Sequence, residues 1–278
     1  MIPAELGPPA LEALAELFEQ RAPAGPVRAQ DLRRCVARDE AGAAAAALNR
    51  LAGAGFTSQH MALFLRQVAV ERRALQQVRD QVELVWSGPE GAASSSRDTG
   101  AVVRGLFQRA TRSVLLANYA FDRPRTEKTR HRARDLFQGL ADRMAEIPGL
   151  QVRFVVNIAR PDPKKPGAEA ASELLVERFV ERFFADLWPG ARRPELYYDP
   201  RALEPWAENQ PRASMHAKCL VVDEAQVLLT SANFTEAAQE RNIEAGVLVQ
   251  SAFLAQSLTQ QFDTLCRSGA LRRVPEPR

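Results

Sequence analysis

The sequence from Met215 to Asn233 reads Met-His-Ala-Lys-Cys-Leu-Val-Val-Asp-Glu-Ala-Gln-Val-Leu-Leu-Thr-Ser-Ala-Asn and places polar side chains around two apolar runs. His216 and Lys218 are two residues apart at a predicted strand start, so their side chains point to the same face. Ser231 and Asn233 are likewise two apart, where a second predicted strand ends. A hairpin of these two strands would bring an imidazole, an ammonium, a hydroxyl and a carboxamide together.

Those four groups suit phosphoryl transfer. An imidazole can attack phosphorus and leave again, while ammonium, hydroxyl and amide donors stabilise the charge that builds on the non-bridging oxygens. A carboxylate bonded to the far imidazole nitrogen would fix its tautomer, and Glu244 is the candidate for that role. The chemistry requires no divalent metal, and the sequence contains no metal-binding cluster, so we expect neither a metal nor a cofactor.

The spacing of these residues is similar to that of a known family. The pattern His-x-Lys-x4-Asp-x6-Thr-Ser-x-Asn, followed by Asn-x-Glu at residues 242–244, resembles the HKD motif of the phospholipase D superfamily, in its single-motif, nuclease-like form. The resemblance is close over the C-terminal third and extends in element order over about residues 86–267. It implies that His216 is the nucleophile or the general acid, and that Glu244 orients it.

The resemblance also implies roles for the remaining motif residues. The implied phosphate ligands are Lys218, Ser231 and Asn233. Asp223 would be structural and hold the turn between the two strands. Thr230 stands where the family usually has Gly, and its extra Cβ would lie beside the phosphate site and narrow it.

The predicted elements place the motif in an α/β fold. Strands are predicted near residues 113–120, 151–158, 196–198, 215–222, 227–230 and 243–249, and helices near 99–111, 126–146, 169–187 and 253–266. This alternation predicts a phospholipase-D-like mixed sheet sandwiched between helices over residues 86–278. Residues 1–85 carry leucines at helical spacing and predict a small helical N-terminal domain. Residues 87–100 are rich in turn formers and predict a linker or an ordered loop.

Composition and charge indicate a soluble globular protein. The 278 residues are 46% hydrophobic and 26% charged, with a net charge of +3. No apolar run approaches the ~18 residues that a membrane span needs, and the N-terminus shows no signal-peptide pattern. Cys35, Cys219 and Cys266 are far apart and predict reduced thiols. We therefore expect a cytoplasmic protein without stable membrane insertion.

A basic run follows the first strand of the predicted sheet. The segment 121–134 contains five Arg and one Lys against one Asp and one Glu, and loops that follow strands border the substrate crevice of an open sheet. The run indicates either a nucleic-acid contact or a solvated helix face. The candidate contacts, together with one arginine just before the motif, are Arg123, Arg125, Lys128, Arg130, Arg132, Arg134 and Arg212.

The chain contains no second His-x-Lys pair. The family mechanism needs two facing histidines, one as nucleophile and one as general acid on the leaving oxygen. A symmetric dimer would supply the second histidine across its two-fold axis. We therefore expect a homodimer with one composite active site.

A narrower resemblance concerns residues outside the motif. Trp-Ser-Gly-Pro-Glu-Gly at residues 86–91, Arg-Asp-Thr at 97–99 and the strand Val-Leu-Leu-Ala-Asn-Tyr-Ala at 114–120 resemble the phospholipase-D-like components of the DISARM anti-phage system. This resemblance implies a bacterial defence role with DNA as substrate, in which residues 1–85 would dock larger subunits. The Arg-Asp-Thr triplet also fits a helix N-cap, with Asp98 or Thr99 accepting from first-turn amides.

Two other functions remain open at this point. A lipid phosphodiesterase would use the same reactive groups and would need a surface that meets the bilayer, for which the aromatic segment 176–188 is the candidate. That segment also fits a helix packed on the sheet. Alternatively, the motif is retained without catalysis in a subunit that binds nucleic acid or serves as a scaffold of a defence complex.

Overall fold

The computed structural model describes residues 2–20, 23, 25–89, 96–162, 164, 166–205 and 213–275. The chain forms two compact units, residues 1–80 and 81–278. The boundary that the sequence places after residue 85 differs from this division, because residues 82–87 form a strand of the second unit's sheet. The two units are described separately below.

The first unit is helical, as the leucine spacing predicts. Its helices are α1 (Pro8–Gln20), α2 (Ala41–Gly53) and α3 (Ser58–Asp80), with a 3-10 turn at Ala29–Leu32. Leu11, Leu14, Leu48 and Leu65 are fully buried in its core, and α1 packs against α3. Burial of one apolar stripe from each helix is what stabilises such short helices.

The second unit contains a mixed sheet with helices on both faces. In the described residues its strands are β1 (Val82–Ser87), β2 (Arg97–Asp98), β3 (Ser113–Asn118), β4 (Gln151–Val156), β5 (Glu195–Tyr198), β6 (Cys219–Val222), β7 (Gln226–Thr230), β8 (Glu244–Gln250) and β9 (Arg272–Arg273). Its helices there are α4 (Thr99–Arg109), α5 (Glu127–Glu146), α6 (Ser172–Arg182), α7 (Glu236–Glu240) and α8 (Ala252–Arg267). The strand order is β2-β1-β8-β7-β6-β3-β4-β5-β9.

Strand direction brings the ends of the motif strands together. β3, β4 and β5 run parallel, whereas β3–β6, β6–β7, β7–β8 and β1–β8 are antiparallel pairs. At one edge of the sheet, β3 ends at Asn118, β6 begins at Cys219, β7 ends at Thr230 and β8 begins at Glu244; we call it the motif edge. The hairpin turn between β6 and β7, at residues 223–225, lies at the opposite edge, which we call the turn edge.

The two faces of the sheet bury separate apolar clusters. Leu116 and Phe154 lie in the larger cluster, beneath α4, α5 and α6. Ala117 and Val221 lie in the smaller cluster beneath α8, which contributes Phe262 to it. Alternate residues of β3 therefore enter opposite clusters, as the two-residue period of a strand requires. The arrangement confirms the predicted α/β class, with a mixed sheet between helices and a helical segment before it.

The aromatic segment 176–188 packs inside the protein. Phe179, Phe183 and Trp188 are buried in the larger cluster, and α6 continues into a π-helical turn at Phe183–Leu187. The Trp188 indole donates to the Arg192 carbonyl at 2.8 Å. The segment is therefore a core helix, and its aromatic rings do not provide a surface for a bilayer. Among the described residues, no helix has the length and apolar character of a membrane span.

The structure also corrects several element boundaries. β1 was missed, because its partner β8 lies far away in sequence and the local pattern continues that of α3. The predicted strand at 215–222 begins only at Cys219, so the His-x-Lys pair precedes the strand. Asp98 Oδ1 accepts from the Ala101 amide at 2.7 Å, which makes Asp98 the N-cap of α4. Residues 90–95 of the predicted linker lie outside the described part of the chain.

Candidate active site

His216 and Lys218 lie together at the motif edge. The Lys218 Nζ is 3.2 Å from His216 Nδ1 and 3.4 Å from Nε2, and it donates to the His216 carbonyl at 3.0 Å. The His216 side chain is exposed, whereas Lys218 is half-buried. Burial lowers the pKa of Lys218, and the nearby Glu244 carboxylate opposes that shift. The pair thus presents a nucleophilic ring and an anion-binding donor on one surface.

Asn233 is hydrogen-bonded to the loop that follows β3. Its Oδ1 accepts from the Ala120 amide at 3.1 Å. Within the described residues, no acceptor is hydrogen-bonded to its Nδ2. The side-chain carbonyl is therefore fixed to the protein, while the amide hydrogens can donate to an anion.

Ser231 and Glu244 bond to each other across β7 and β8. Ser231 Oγ donates to Glu244 Oε2 at 2.5 Å and accepts from the Ala245 amide at 3.1 Å. Asn242 Nδ2 donates to the other carboxylate oxygen at 3.4 Å. Among the described residues, Glu244 has no hydrogen bond to His216, so the orienting contact implied by the family resemblance is not formed within the chain. Glu244 is instead hydrogen-bonded to Ser231.

Thr230 is accommodated by a glycine on the neighbouring strand. Thr230 pairs with Gly246, and a Cβ at residue 246 would lie 2.9 Å from the Thr230 Cβ and 2.7 Å from the Leu229 carbonyl oxygen. The Thr230 hydroxyl accepts from the Ala232 amide at 3.0 Å. The side chain therefore packs towards β8 and holds the start of the Ser231–Asn233 loop.

Asp223 lies at the turn edge, away from the other motif residues. Its carboxylate accepts from Thr111 Oγ1 at 2.7 Å and from the amides of Thr111, Arg112 and Ser113 at 2.7–3.1 Å. Burial by itself would raise the pKa of Asp223, but these hydrogen bonds outweigh it and lower the pKa. Asp223 and Glu224 have positive φ angles of 54° and 52°, so the carboxylate anchors a strained turn.

Tyr119 is a site residue that the sequence reasoning missed. It follows β3 directly, and its ring centroid lies 4.6 Å from that of His216. Lys218 Nζ lies 5.3 Å from the Tyr119 ring centroid. The neighbouring Asn118 is fully buried and accepts from the Phe234 amide at 3.1 Å. A polar-aromatic pair at the carboxyl end of a buried strand is the signal that could have identified this position.

Three of the six basic residues in segment 121–134 hydrogen-bond to other parts of the chain. Arg130 Nε donates to Asp186 at 2.9 Å, Arg132 donates to Glu236 at 2.8 Å, and Arg134 donates to the Ala185 carbonyl at 2.8 Å. These contacts tie α5 to the elements around it. Arg130, Arg132 and Arg134, which the sequence predicts as nucleic-acid contacts, thus each hydrogen-bond to an acidic or carbonyl partner distant in sequence.

The other basic residues remain exposed. Arg123, Arg125 and Lys128 have neither a hydrogen bond nor an ion pair among the described residues. Arg123 and Arg125 follow Tyr119 on the loop that leaves the motif edge, and Lys128 lies in the first turn of α5. Burial lowers the pKa of Arg182, and the charge of Arg123 lowers it further, so two guanidinium groups share this region. Arg212 lies outside the described residues. Among the residues described, no group of three His, Cys, Asp or Glu side chains is placed to hold a metal ion.

Comparison with known proteins gives one family match. Residues 103–266 match the family described as "Cardiolipin synthase, PLD-like domain", which is more than half of the chain. No curated protein matches the sequence significantly.

Several solved structures are similar to this chain. The phospholipase D family member Nuc from Salmonella typhimurium is 21% identical with a TM-score of 0.41, over 70% of this chain and 98% of its own. NucT from Helicobacter pylori is 17% identical with a TM-score of 0.39, over 59% and 84%. Phosphatidylserine synthase from Haemophilus influenzae is 21% identical with a TM-score of 0.39, over 65% and 37%.

Proposed function

Because the chain belongs to the phospholipase-D-like family described as "Cardiolipin synthase, PLD-like domain", we propose that it is a phosphodiesterase that cleaves DNA through a covalent phosphohistidine on His216. The observation that carries this proposal is the contact between the His216 imidazole and the Lys218 ammonium at the motif edge. The family supports the phosphodiesterase class. The choice of DNA rests on the basic residues beside the site.

The reaction proceeds in two displacements at phosphorus. The unprotonated His216 nitrogen attacks, a P–N bond forms, and the P–O ester bond to the leaving strand breaks as that oxygen takes a proton from a second imidazolium. Water then gives its proton to the second imidazole and attacks phosphorus, and the P–N bond breaks. The second histidine thus returns to its starting state, as general acid–base catalysis requires.

Two donors stabilise the phosphate in this arrangement. The Lys218 ammonium leaves its contact with the imidazole and binds a non-bridging oxygen, and the Asn233 amide donates to another. Ser231 cannot donate to the phosphate while its hydroxyl donates to Glu244. We assign Ser231 and Glu244 to holding the β7–β8 corner, with Lys218 and Asn233 as the phosphate ligands.

A second copy of the chain completes the site. The sequence has one His-x-Lys pair, whereas the mechanism needs a nucleophile and an acid on opposite sides of phosphorus. A symmetric dimer supplies His216 twice.

An apolar strip of the sheet that is partly exposed among the described residues supports that dimer. Leu84, Val247 and Leu229 lie side by side on β1, β8 and β7, on the face that α8 covers over β6 and β7. Leu84 is 49% exposed, and Ile243, which precedes β8 at the motif edge, is 68% exposed. Adjoining exposed apolar side chains favour association, and this strip reaches the edge that carries His216.

The dimer is tested with an exposed leucine on the strip. Leu84→Glu is expected to give a folded monomer that no longer cleaves DNA, because a charge in the interface disfavours association and separates the two histidines. Leu63→Glu, at a leucine of α3 that is 66% exposed, is the matched control and should remain dimeric. Light scattering and cleavage rates decide the outcome. A wild-type monomer that cleaves would contradict the composite site.

The substrate class rests on charge and burial. Arg123, Arg125 and Lys128 offer cations that no intrachain partner takes up among the described residues, which suits a polyphosphate backbone. The aromatic segment proposed for lipid contact is buried. A bacterial anti-phage role, with residues 1–85 docking a larger complex, rests on the sequence resemblance at residues 86–99 and stays a prediction.

The proposal is tested by cleavage in EDTA. Single- and double-stranded DNA would be incubated with wild type, His216→Ala and His131→Ala, the last being a matched control because His131 is an exposed histidine of α5. Cleavage by wild type and His131→Ala, absent in His216→Ala, is expected. A wild type that cleaves neither DNA form but hydrolyses phosphatidylglycerol in vesicles would show that the substrate is a lipid rather than DNA. Inactivity on all three substrates would contradict the enzyme proposal.

A further inference from the structure

We propose that Tyr119 is a positioning residue, whose ring holds the His216 imidazole and the Lys218 ammonium in register for attack on phosphorus. This inference deepens the proposed function and rests on it. Tyr119 lies outside the His-x-Lys motif, 97 positions before His216. Its relevance follows from the fold, which brings the end of β3 beside the start of β6.

The backbone around Tyr119 is fixed on both sides. Asn118, before it, donates to the Ala120 carbonyl at 2.6 Å and accepts from the Phe234 amide at 3.1 Å. Ala120, after it, donates to Asn233 Oδ1 at 3.1 Å. The tyrosine backbone is therefore carried on a loop that is hydrogen-bonded to the Ser231–Asn233 segment and to Phe234.

The Tyr119 ring contacts both reactive groups. Its centroid lies 4.6 Å from the His216 ring at an interplanar angle of 55°, within the range of favourable aromatic pairs. Lys218 Nζ lies 5.3 Å from the same centroid, within reach of a cation–π interaction. We call Tyr119, His216 and Lys218 the ring clamp.

Nothing else in the described chain takes over this role. The His216 side chain is exposed, and the hydrogen bonds to its ring nitrogens in the described residues come from Lys218 alone. That contact must open when the ammonium binds phosphate. Because Glu244 is bonded to Ser231 rather than to His216, the tyrosine ring is what then limits rotation of the imidazole about its outer torsion.

The ring clamp acts on the chemical step rather than on binding. A fixed imidazole spends more time in line with the ester bond, and the ring face stabilises the positive charge that the imidazole gains on attack. Tyr119 contacts the protein groups and not the phosphate. Its loss should therefore lower kcat by about tenfold, less than the ~10²-fold that a 1 Å misplacement costs, and change KM less than about twofold.

The test compares Tyr119→Phe with Tyr119→Leu in the full chain. The phenyl ring should retain wild-type kcat on a single-stranded oligonucleotide, whereas leucine should lose about tenfold at unchanged KM. Tyr119→Met serves as a second ring-free variant if leucine impairs folding. Equal kcat for leucine and wild type, or equal losses for phenylalanine and leucine, would overturn the ring clamp.

A second readout does not need activity. The chain has three histidines, so the imidazole proton signals of His60, His131 and His216 can be followed separately by NMR. The His216 signals should carry a ring-current shift that persists in Tyr119→Phe and disappears in Tyr119→Leu, with His60 and His131 unchanged. If wild type does not cleave DNA, the proposed function fails, and the NMR comparison still decides the clamp: an unmoved His216 signal in Tyr119→Leu overturns it.

Discussion

Residues of the same motif lie at both ends of the β6–β7 hairpin, but their hydrogen bonding within the protein differs between the two ends. At the turn edge, the Asp223 carboxylate receives donors from Thr111, Arg112 and Ser113 and has little capacity left for a ligand. At the motif edge, His216 and Lys218 bond mainly to each other and face solvent. A motif residue whose hydrogen-bonding capacity is filled within the protein thus has a structural role, whereas one with capacity left for a ligand has a chemical role. Asp223 and Lys218 differ in this way although only five positions separate them.

The same contrast divides the basic run. The guanidinium groups of Arg130 and Arg132 are engaged by Asp186 and Glu236, whereas Arg123 and Arg125 have no such partner among the described residues. The engaged groups tie α5 to the neighbouring elements, whereas Arg123 and Arg125 can exchange water for phosphate oxygens.

The largest expected effect is at the motif edge. Lys218→Met removes a donor that stabilises charge on phosphate and should lower kcat by about 10²–10³-fold, as loss of one such donor does in other enzymes. The melting temperature should stay close to that of wild type, because the side chain makes few contacts in the folded protein. Steady-state cleavage and thermal unfolding would be measured together. A kcat of Lys218→Met within threefold of wild type would contradict the role of Lys218 as a phosphate ligand.

A substitution at the turn edge should lower stability and leave activity nearly unchanged. Asp223→Asn is expected to lower the free energy of unfolding by about 1–2 kcal/mol, since charge-assisted hydrogen bonds are weakened at a partly exposed carboxylate. The kcat of the folded protein should stay within threefold of wild type. Glu224→Gln is the matched control, because Glu224 is an exposed carboxylate of the same turn.

The pH dependence gives the sign of the Asp223 effect. The folded pKa lies below the ordinary value, so the stabilisation is fully present above the ordinary carboxyl pKa and is lost as pH falls through the folded pKa. The difference between wild type and Asp223→Asn should therefore be largest at neutral pH and shrink in acid. Denaturant titrations at several pH values would show it, and a difference that grows in acid would refute the assigned role.

The smallest effect concerns the basic run. Arg123→Gln and Arg125→Gln should each weaken binding of a single-stranded oligonucleotide a few-fold and reduce the salt slope by about 0.7, the value for one phosphate contact on a single strand. Arg132→Gln is the matched control and should leave the slope unchanged. Fluorescence anisotropy with His216→Ala protein avoids cleavage. Equal slopes for all variants would show that the exposed arginines do not contact nucleic acid.

The sequence predicts the motif and most of the sheet, because both depend on local patterns. β3, β4 and β7 are apolar runs whose positions agree with the prediction to within about two residues, which is the usual uncertainty of strand ends. The sequence does not predict β1, because β1 is a strand only through its pairing with β8, which lies far away in sequence.

Several features of the site depend on contacts between distant positions. The spacing of the basic run does not reveal that Asp186 and Glu236 engage two of its arginines. Likewise, the motif spacing does not reveal that Gly246 makes room for Thr230, or that Tyr119 reaches His216. These relations are set by the register of the sheet, which single-sequence patterns do not specify.

The central claim is that His216 forms a covalent bond to phosphorus. The most direct measurement is to quench a reaction with a single-stranded oligonucleotide in alkali and to locate the adduct by mass spectrometry of the proteolysed protein. The account predicts a nucleotide phosphate on the peptide that contains His216 and none on the peptides of His60 or His131. Cleavage without any histidine adduct, or an adduct on another residue, would contradict it.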